Sequence, residues 1–279
     1  MFSKLLKYEW KANAKLLWIL SLCALGAGVM GTLVTRLMVY LDKNAEQVDM
    51  VILGNMGLGS ILAFICVALI GYLLAVQFIN LFRFYKSRFT DQGYLTFTLP
   101  VTPHQIFLSS FLNILFWLLI SFAVFCISGL MIAVIGAWDV WENSFISADD
   151  VIDIGQSLDD VLSQEPGYRL NLILTVVGVV IEVLYNIFLL MTCITLGCVI
   201  ARKGKIFLTI GLYYGITMGV SIVESTLALI PLLAISEFYE SYYIFADVVL
   251  CINMALQIGL AVGGYFLSTH LMKNKLNLP

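Results

Sequence analysis

Six long apolar runs set the pattern of this chain, near residues 16–39, 56–82, 106–137, 170–201, 206–233 and 244–271. Each is long enough to cross a hydrocarbon core, which takes about 20 apolar residues in helical form. Lipid supplies no hydrogen-bond partners for the edges of an open sheet, so runs of this length predict helices. The expected fold class is all-α integral membrane, with six transmembrane helices. No linker or low-complexity segment divides the runs, and residues 1–279 are read as a single transmembrane domain.

The polar segments add detail. In residues 2–15, FSKLLKYEWKANAK, a turn of about 100° per residue puts Lys4, Lys7, Lys11 and Lys15 on one side and Phe2, Leu5, Leu6 and Trp10 opposite. This predicts an N-terminal amphipathic helix in the membrane interface, with its lysines toward anionic headgroups; a plain basic flank of the first span is the alternative. The first run is long enough to remain as an anchor, and no A-x-A cleavage site ends it. Ala24, Ala27, Gly28 and Gly31 offer small residues for close helix approach, and Arg36 is placed to snorkel. Residues 138–168 form an acidic exterior segment with Asp139, Glu142, Asp149, Asp150, Asp153, Asp159, Asp160 and Glu165. Val151, Ile154, Leu158, Val161 and Leu162 recur there at helical spacing, predicting a short exterior helix. Its acids either attract cationic cargo or form a solvated surface.

Residues 201–205 are too short for anything but a tight antiparallel turn between spans four and five. Gly211, Gly215 and Gly219 share one face of span five, for packing against another helix or a second subunit, and Gly259 and Gly263 repeat the step once. Pro231 interrupts the end of span five, ahead of Glu237, Tyr239, Glu240, Tyr242 and Tyr243. A straight span is one reading; a break at Pro231 with re-entry into the outer leaflet is the preferred one.

Composition agrees with a membrane protein, since 61% of the 279 residues are hydrophobic and only 12% are charged. The net charge of −3 hides an asymmetry: basic residues gather in the N-terminal segment, residues 83–105, the 201–205 turn and the C-terminal tail. By the positive-inside rule these are cytoplasmic, giving a multi-pass protein of the cell membrane with both termini inside. Cys23, Cys66, Cys126, Cys193, Cys198 and Cys251 all lie in apolar runs and read as small hydrophobes rather than disulfides or metal ligands.

Catalytic chemistry is sparse. With only His104 and His270, no histidine triad or His-rich metal cluster can be built from one chain. The P-loop pattern is missing as well, because Gly204-Lys205 is followed by Ile206. Glu182 in span four and Glu224 in span five are candidates for a polar cavity, for pairing with Arg36 or Arg169, or for a proton relay. Helix packing by a protonated glutamate is the plainer alternative.

The longest polar break on the basic side is residues 83–105, RFYKSRFTDQGYLTFTLPVTPHQ. Its Asp91, Gly93, Leu95, Leu99, Pro100, Val101 and Thr102 resemble the cytoplasmic loop of type-2 ATP-binding-cassette exporter permeases, where an acid-x-Gly step opens a short helix and a Leu-Pro-Val-Ser/Thr step leads into the third span. The resemblance covers the chain, because the basic N-terminal helix, six spans and loop position all conform. It implies a coupling helix between spans two and three that docks on a separate ATP-binding subunit, with Arg88, Asp91, Gly93, Tyr94, Leu95, Thr98, Leu99 and Pro100 as the coupling residues. Arg83 and Lys86 add charge, while Pro100 and Pro103 fix the exit angle. It further implies no cofactor on this chain, ATP and Mg on two partner ABC subunits, and a second permease chain in a homodimer. Peptide cargo follows by analogy with compact exporters such as those of phenol-soluble modulins in Gram-positive bacteria. No nucleic acid is expected, and no enzyme site of the chain's own. The rival expectation is a stand-alone secondary transporter or channel, proton-coupled through Glu182 and Glu224.

Overall fold

A computed structural model of the chain describes residues 2–44, 48–90, 93, 102–136, 166–201, 204–234 and 242–274. Its helices are α1 (Phe2–Asn44), α2 (Val48–Phe89), α3 (Pro103–Leu130), α4 (Pro166–Ile200), α5 (Lys205–Ala234) and α6 (Tyr242–Asn274). A π-helical segment, Met131–Gly136, continues α3. No strand occurs among the described residues. Six helices are long and apolar enough to cross a membrane, so the chain is an all-helical, multi-pass membrane protein.

Local chemistry sets several helix ends. At the start of α3, Thr102 and Gln105 cap each other: the Gln105 amide donates to Thr102 Oγ1 and the Thr102 amide to Gln105 Oε1, each at 3.4 Å. This is a capping box with Pro103 at the first helical position, where its missing N–H costs nothing. Between α4 and α5, Gly204 takes a positive φ of 73° that a side chain would strain. A Cβ on Gly197 would collide with Thr209 Oγ1, so glycine permits the close antiparallel approach of these two helices. Pro231 does not break α5, in contrast to the preferred expectation. The helix runs on to Ala234; the proline removes one ladder bond, and only three helical residues follow it. Residues 2–15 form the first turns of continuous α1 and not a separate element. The expected exterior helix within 138–168 lies outside the described residues.

The chain packs as two compact units, one of residues 3–82 and 112–155, the other of 83–111 and 156–279. Among the described residues, the chain passes from one to the other within α2 and within α3.

In the first unit α1, α2 and the later part of α3 share a core of Leu17, Ala24, Ile65, Leu69, Tyr72, Val76, Trp117 and Val124. Trp117 is 1% exposed, with Trp10 stacked on it at 4.9 Å and Trp18 meeting it edge-on at 5.8 Å. Polar pairs cross the same core. Asn13 Nδ2 donates to Asn80 Oδ1 at 3.0 Å, and Ser21 and Tyr72 share a hydrogen bond of 2.9 Å. Farther along, Arg36 Nε donates to the Ile135 carbonyl at 3.2 Å.

The small residues of α1 do what their spacing predicts. An added Cβ would lie 2.8 Å from Ser128 Cβ at Gly28 and 2.7 Å from Ile132 Cδ1 at Gly31. Gly211, Gly215 and Gly219 differ, since a Cβ at any of them meets nothing within 4 Å and all three are exposed. Gly28→Leu is therefore expected to lower the stability of the detergent-solubilised protein by about 1–3 kcal/mol through overpacking, with Gly211→Leu near neutral. Thermal melting followed by tryptophan fluorescence checks this pair.

Candidate functional site

Two groups of residues in the second unit are placed to do something beyond spanning. The first flanks the 83–105 loop. Phe84, Phe89, Ile106 and Phe107 bring the last turns of α2 and the first turns of α3 into one core, each less than 5% exposed. Phe84 meets Phe89 at 5.9 Å and Phe107 at 6.3 Å, both edge-to-face. Phe188 of α4 stacks on Phe107 at 6.0 Å and on Phe111 at 4.2 Å. Tyr265 of α6 closes the chain of rings against Phe107 at 5.5 Å, and its hydroxyl bonds His104 Nδ1 at 2.9 Å. Both ends of the loop are thus joined through aromatic contact to α4 and α6.

Arg88 lies inside this arrangement. It was expected to present charge to a partner, yet it is 2% exposed and its Nη2 donates to Ser110 Oγ at 3.1 Å. The guanidinium ties the end of α2 to α3 through this bond. Gly93 is buried, and its amide donates to the Thr90 carbonyl at 2.7 Å. Asp91, Tyr94, Leu95, Thr98, Leu99 and Pro100 lie outside the described residues.

The second group is a set of polar side chains between α4, α5 and α6. Glu224 is half-buried and accepts from Gln257 Nε2 at 2.9 Å. The Tyr213 hydroxyl donates to Asn186 Oδ1 at 3.4 Å. Asn171 Nδ2 donates to Asp247 Oδ1 at 2.9 Å, and Ser268 Oγ to Thr192 Oγ1 at 3.3 Å. Close approach of α4 and α6 is helped by Gly264, where a Cβ would lie 2.8 Å from Thr192 Oγ1. On α4, residues Asn171, Thr175, Glu182 and Asn186 fall within an arc of about 60° at ~100° per residue. Glu182 is exposed on that arc, and the Asn186 side chain bonds its backbone carbonyl at 3.0 Å.

Of the sequence-derived candidates, Glu224 thus has a described polar partner for its carboxylate, while Glu182 stands on an open helix face. The side chain of Arg169 lies outside the described residues, and Arg36 is engaged with the Ile135 carbonyl. Asp247, 9% exposed, is a third intramembrane acid that sequence reading passed over, together with Asn171, Asn186 and Gln257. Its signal was present, for residue 247 falls inside the run at 244–271.

A double-mutant cycle on Asn171→Ala and Asp247→Ala is expected to give a coupling of about 0.6 kcal/mol and at most about 1.7 kcal/mol, the range of hydrogen bonds between membrane helices. Unfolding in mixed micelles measures it.

A scan against protein-family models and searches of curated proteins and of solved structures each find no match to this chain.

Proposed function

We propose that the chain is the membrane-spanning permease subunit of an ATP-driven exporter, working with two separate ATP-binding subunits and a second copy of itself. The observation that carries this reading is the continuity from the 83–105 loop into the bundle: Arg88, Phe84, Phe89 and Phe107 lock the loop's two ends together, and Phe188 and Tyr265 extend the contact to α4 and α6. A loop mounted in this way transmits a push from a soluble motor to the helices, whereas a loop on slack ends would absorb it. The reading is supported by the resemblance of the Asp91-x-Gly93 and Leu99-Pro100-Val101-Thr102 steps to those of a coupling helix. ATP and Mg belong to the partner subunit in this scheme.

The distribution of Lys and Arg supports a cytoplasmic placement of both termini and the loop in a cell-membrane protein. The exposed glycine face of α5 is the natural contact for the second copy, and amphipathic peptides are the proposed cargo. The alternative reading, a secondary transporter coupled to protons, is favoured by Glu224, an acid inside a span with an amide for its partner.

Affinity purification of the chain from its native membrane is expected to bring down a P-loop ATPase, detected by photolabelling with azido-ATP and by mass spectrometry. Gly93→Trp and Leu95→Asp are each expected to reduce its recovery at least tenfold while the chain still inserts. Full recovery with both variants rejects the coupling role. Proton flux in liposomes holding this chain alone establishes the alternative.

A further inference from the structure

Leu33, Arg36, Leu37 and Tyr40 recur at i, i+3, i+4 and i+7, so they share one stripe along the C-terminal part of α1. All four are exposed, Leu33 at 57%, Leu37 at 48% and Tyr40 at 64%. A guanidinium therefore stands in an open apolar stripe of a helix long and apolar enough to cross a membrane. Arg36 falls three residues, about 4.5 Å of helix rise, before the apolar run ends at residue 39. From that depth a side chain as long as arginine reaches headgroup level.

The base of the side chain is held in place. A Cβ on Gly136 would lie 2.8 Å from Thr35 Cβ, so α1 meets the π-helical end of α3 at this level. Arg36 Nε donates to the Ile135 carbonyl at 3.2 Å, one residue before that segment ends, where helix carbonyls lack an intrahelical donor. This bond uses one of the five N–H donors of the guanidinium. Among the described residues no carboxylate pairs with Arg36, and the Ile135 carbonyl is the one hydrogen-bond partner of its guanidinium. Both Nη groups keep their four donors for another molecule.

Those donors, and the charge behind them, select the occupant. Acyl chains offer no acceptor, and water supplies acceptors without a counter-charge. The phosphate of a phospholipid lies at the level the guanidinium reaches, is negative, and presents two oxygens to a planar fork. Its acyl chains extend from there along the exposed Leu33 and Leu37. A protein carboxylate also matches the fork, yet it requires a further helix carrying an acid at this depth, whereas lipid meets an exposed apolar stripe without any partner.

We propose that Arg36, anchored on the Ile135 carbonyl, binds the phosphate of a membrane phospholipid whose acyl chains lie along Leu33 and Leu37. Occupancy of this site does not depend on what the spans transport.

The full chain in dodecyl maltoside, a detergent without phosphate, is titrated with phosphatidylglycerol, and native mass spectrometry counts the lipids retained. The wild-type chain is expected to hold one lipid more than R36Q, with binding at that site at least tenfold weaker in R36Q and several-fold weaker in R36K, since lysine keeps the charge without the Nε anchor. All other basic residues are common to the three proteins, so the difference belongs to Arg36. Equal retention by R36Q overturns the proposal, as does equal affinity in R36K. Equal retention of monogalactosyldiacylglycerol, which has no phosphate, overturns it by showing plain apolar packing. Binding of soluble glycerol phosphate with the same affinity overturns the lipid assignment. So does a lipid-free dimer that R36Q converts to monomer, which places a protein carboxylate on the fork.

Discussion

A polar side chain that enters the bilayer must find its hydrogen bonds on its own helix or on a neighbouring one, since lipid offers none. That constraint organises both units. In the first, Asn13 reaches Asn80 and Ser21 reaches Tyr72, each pair joining α1 to α2 across an otherwise apolar core. In the second, Asn171 with Asp247, Asn186 with Tyr213 and Glu224 with Gln257 tie α4, α5 and α6 pairwise. Each bond is modest in energy, but a helix rotated by one residue, about 100°, would lose its partners. Apolar contact alone leaves rotation loosely specified, because a Leu or Val face packs in several registers. These amides and carboxylates choose among them.

The six spans were legible because a span must be apolar along most of its length, and that is a property of composition. What lay within the spans was less so. Asp247 sits in a run that was identified, and its neutral hydrogen-bond partner Asn171 lies 76 residues away. No local pattern links such a pair. Arg88 shows the same limit from the other side: in sequence it is one more basic residue in a polar loop, and its burial with a bond to Ser110 of α3 becomes visible only in the fold. Pro231 was read by its cost in the middle of a helix, whereas only three helical residues follow it in α5, so a bend there redirects little of the span.

The glycines are the clearest case of a motif that fixes a face without naming a neighbour. Gly28 and Gly31 on α1 and Gly211, Gly215 and Gly219 on α5 have similar spacings. Ser128 and Ile132 press against the first pair; around the second set there is open space. Spacing says which residues point the same way, and only the fold says what stands opposite. The exposed set is consistent with a surface kept smooth for another chain or for lipid.

The length of α1 has a mechanical consequence. Its 43 residues extend about 65 Å, roughly twice the hydrocarbon thickness, and even a tilt of 40° absorbs only about 26 residues. The excess is shared between the two ends, and because the apolar run covers only residues 16–39, about 14 residues extend beyond it at the end bearing Lys4, Lys7, Lys11 and Lys15. Trp10 on Trp117 and Asn13 on Asn80 keep this stub in line with α2 and α3. It is a stiff arm of about 21 Å, so a span that leans by 10° sweeps its tip through about 4 Å. Small rotations in the membrane become displacements at the surface large enough for another protein to feel.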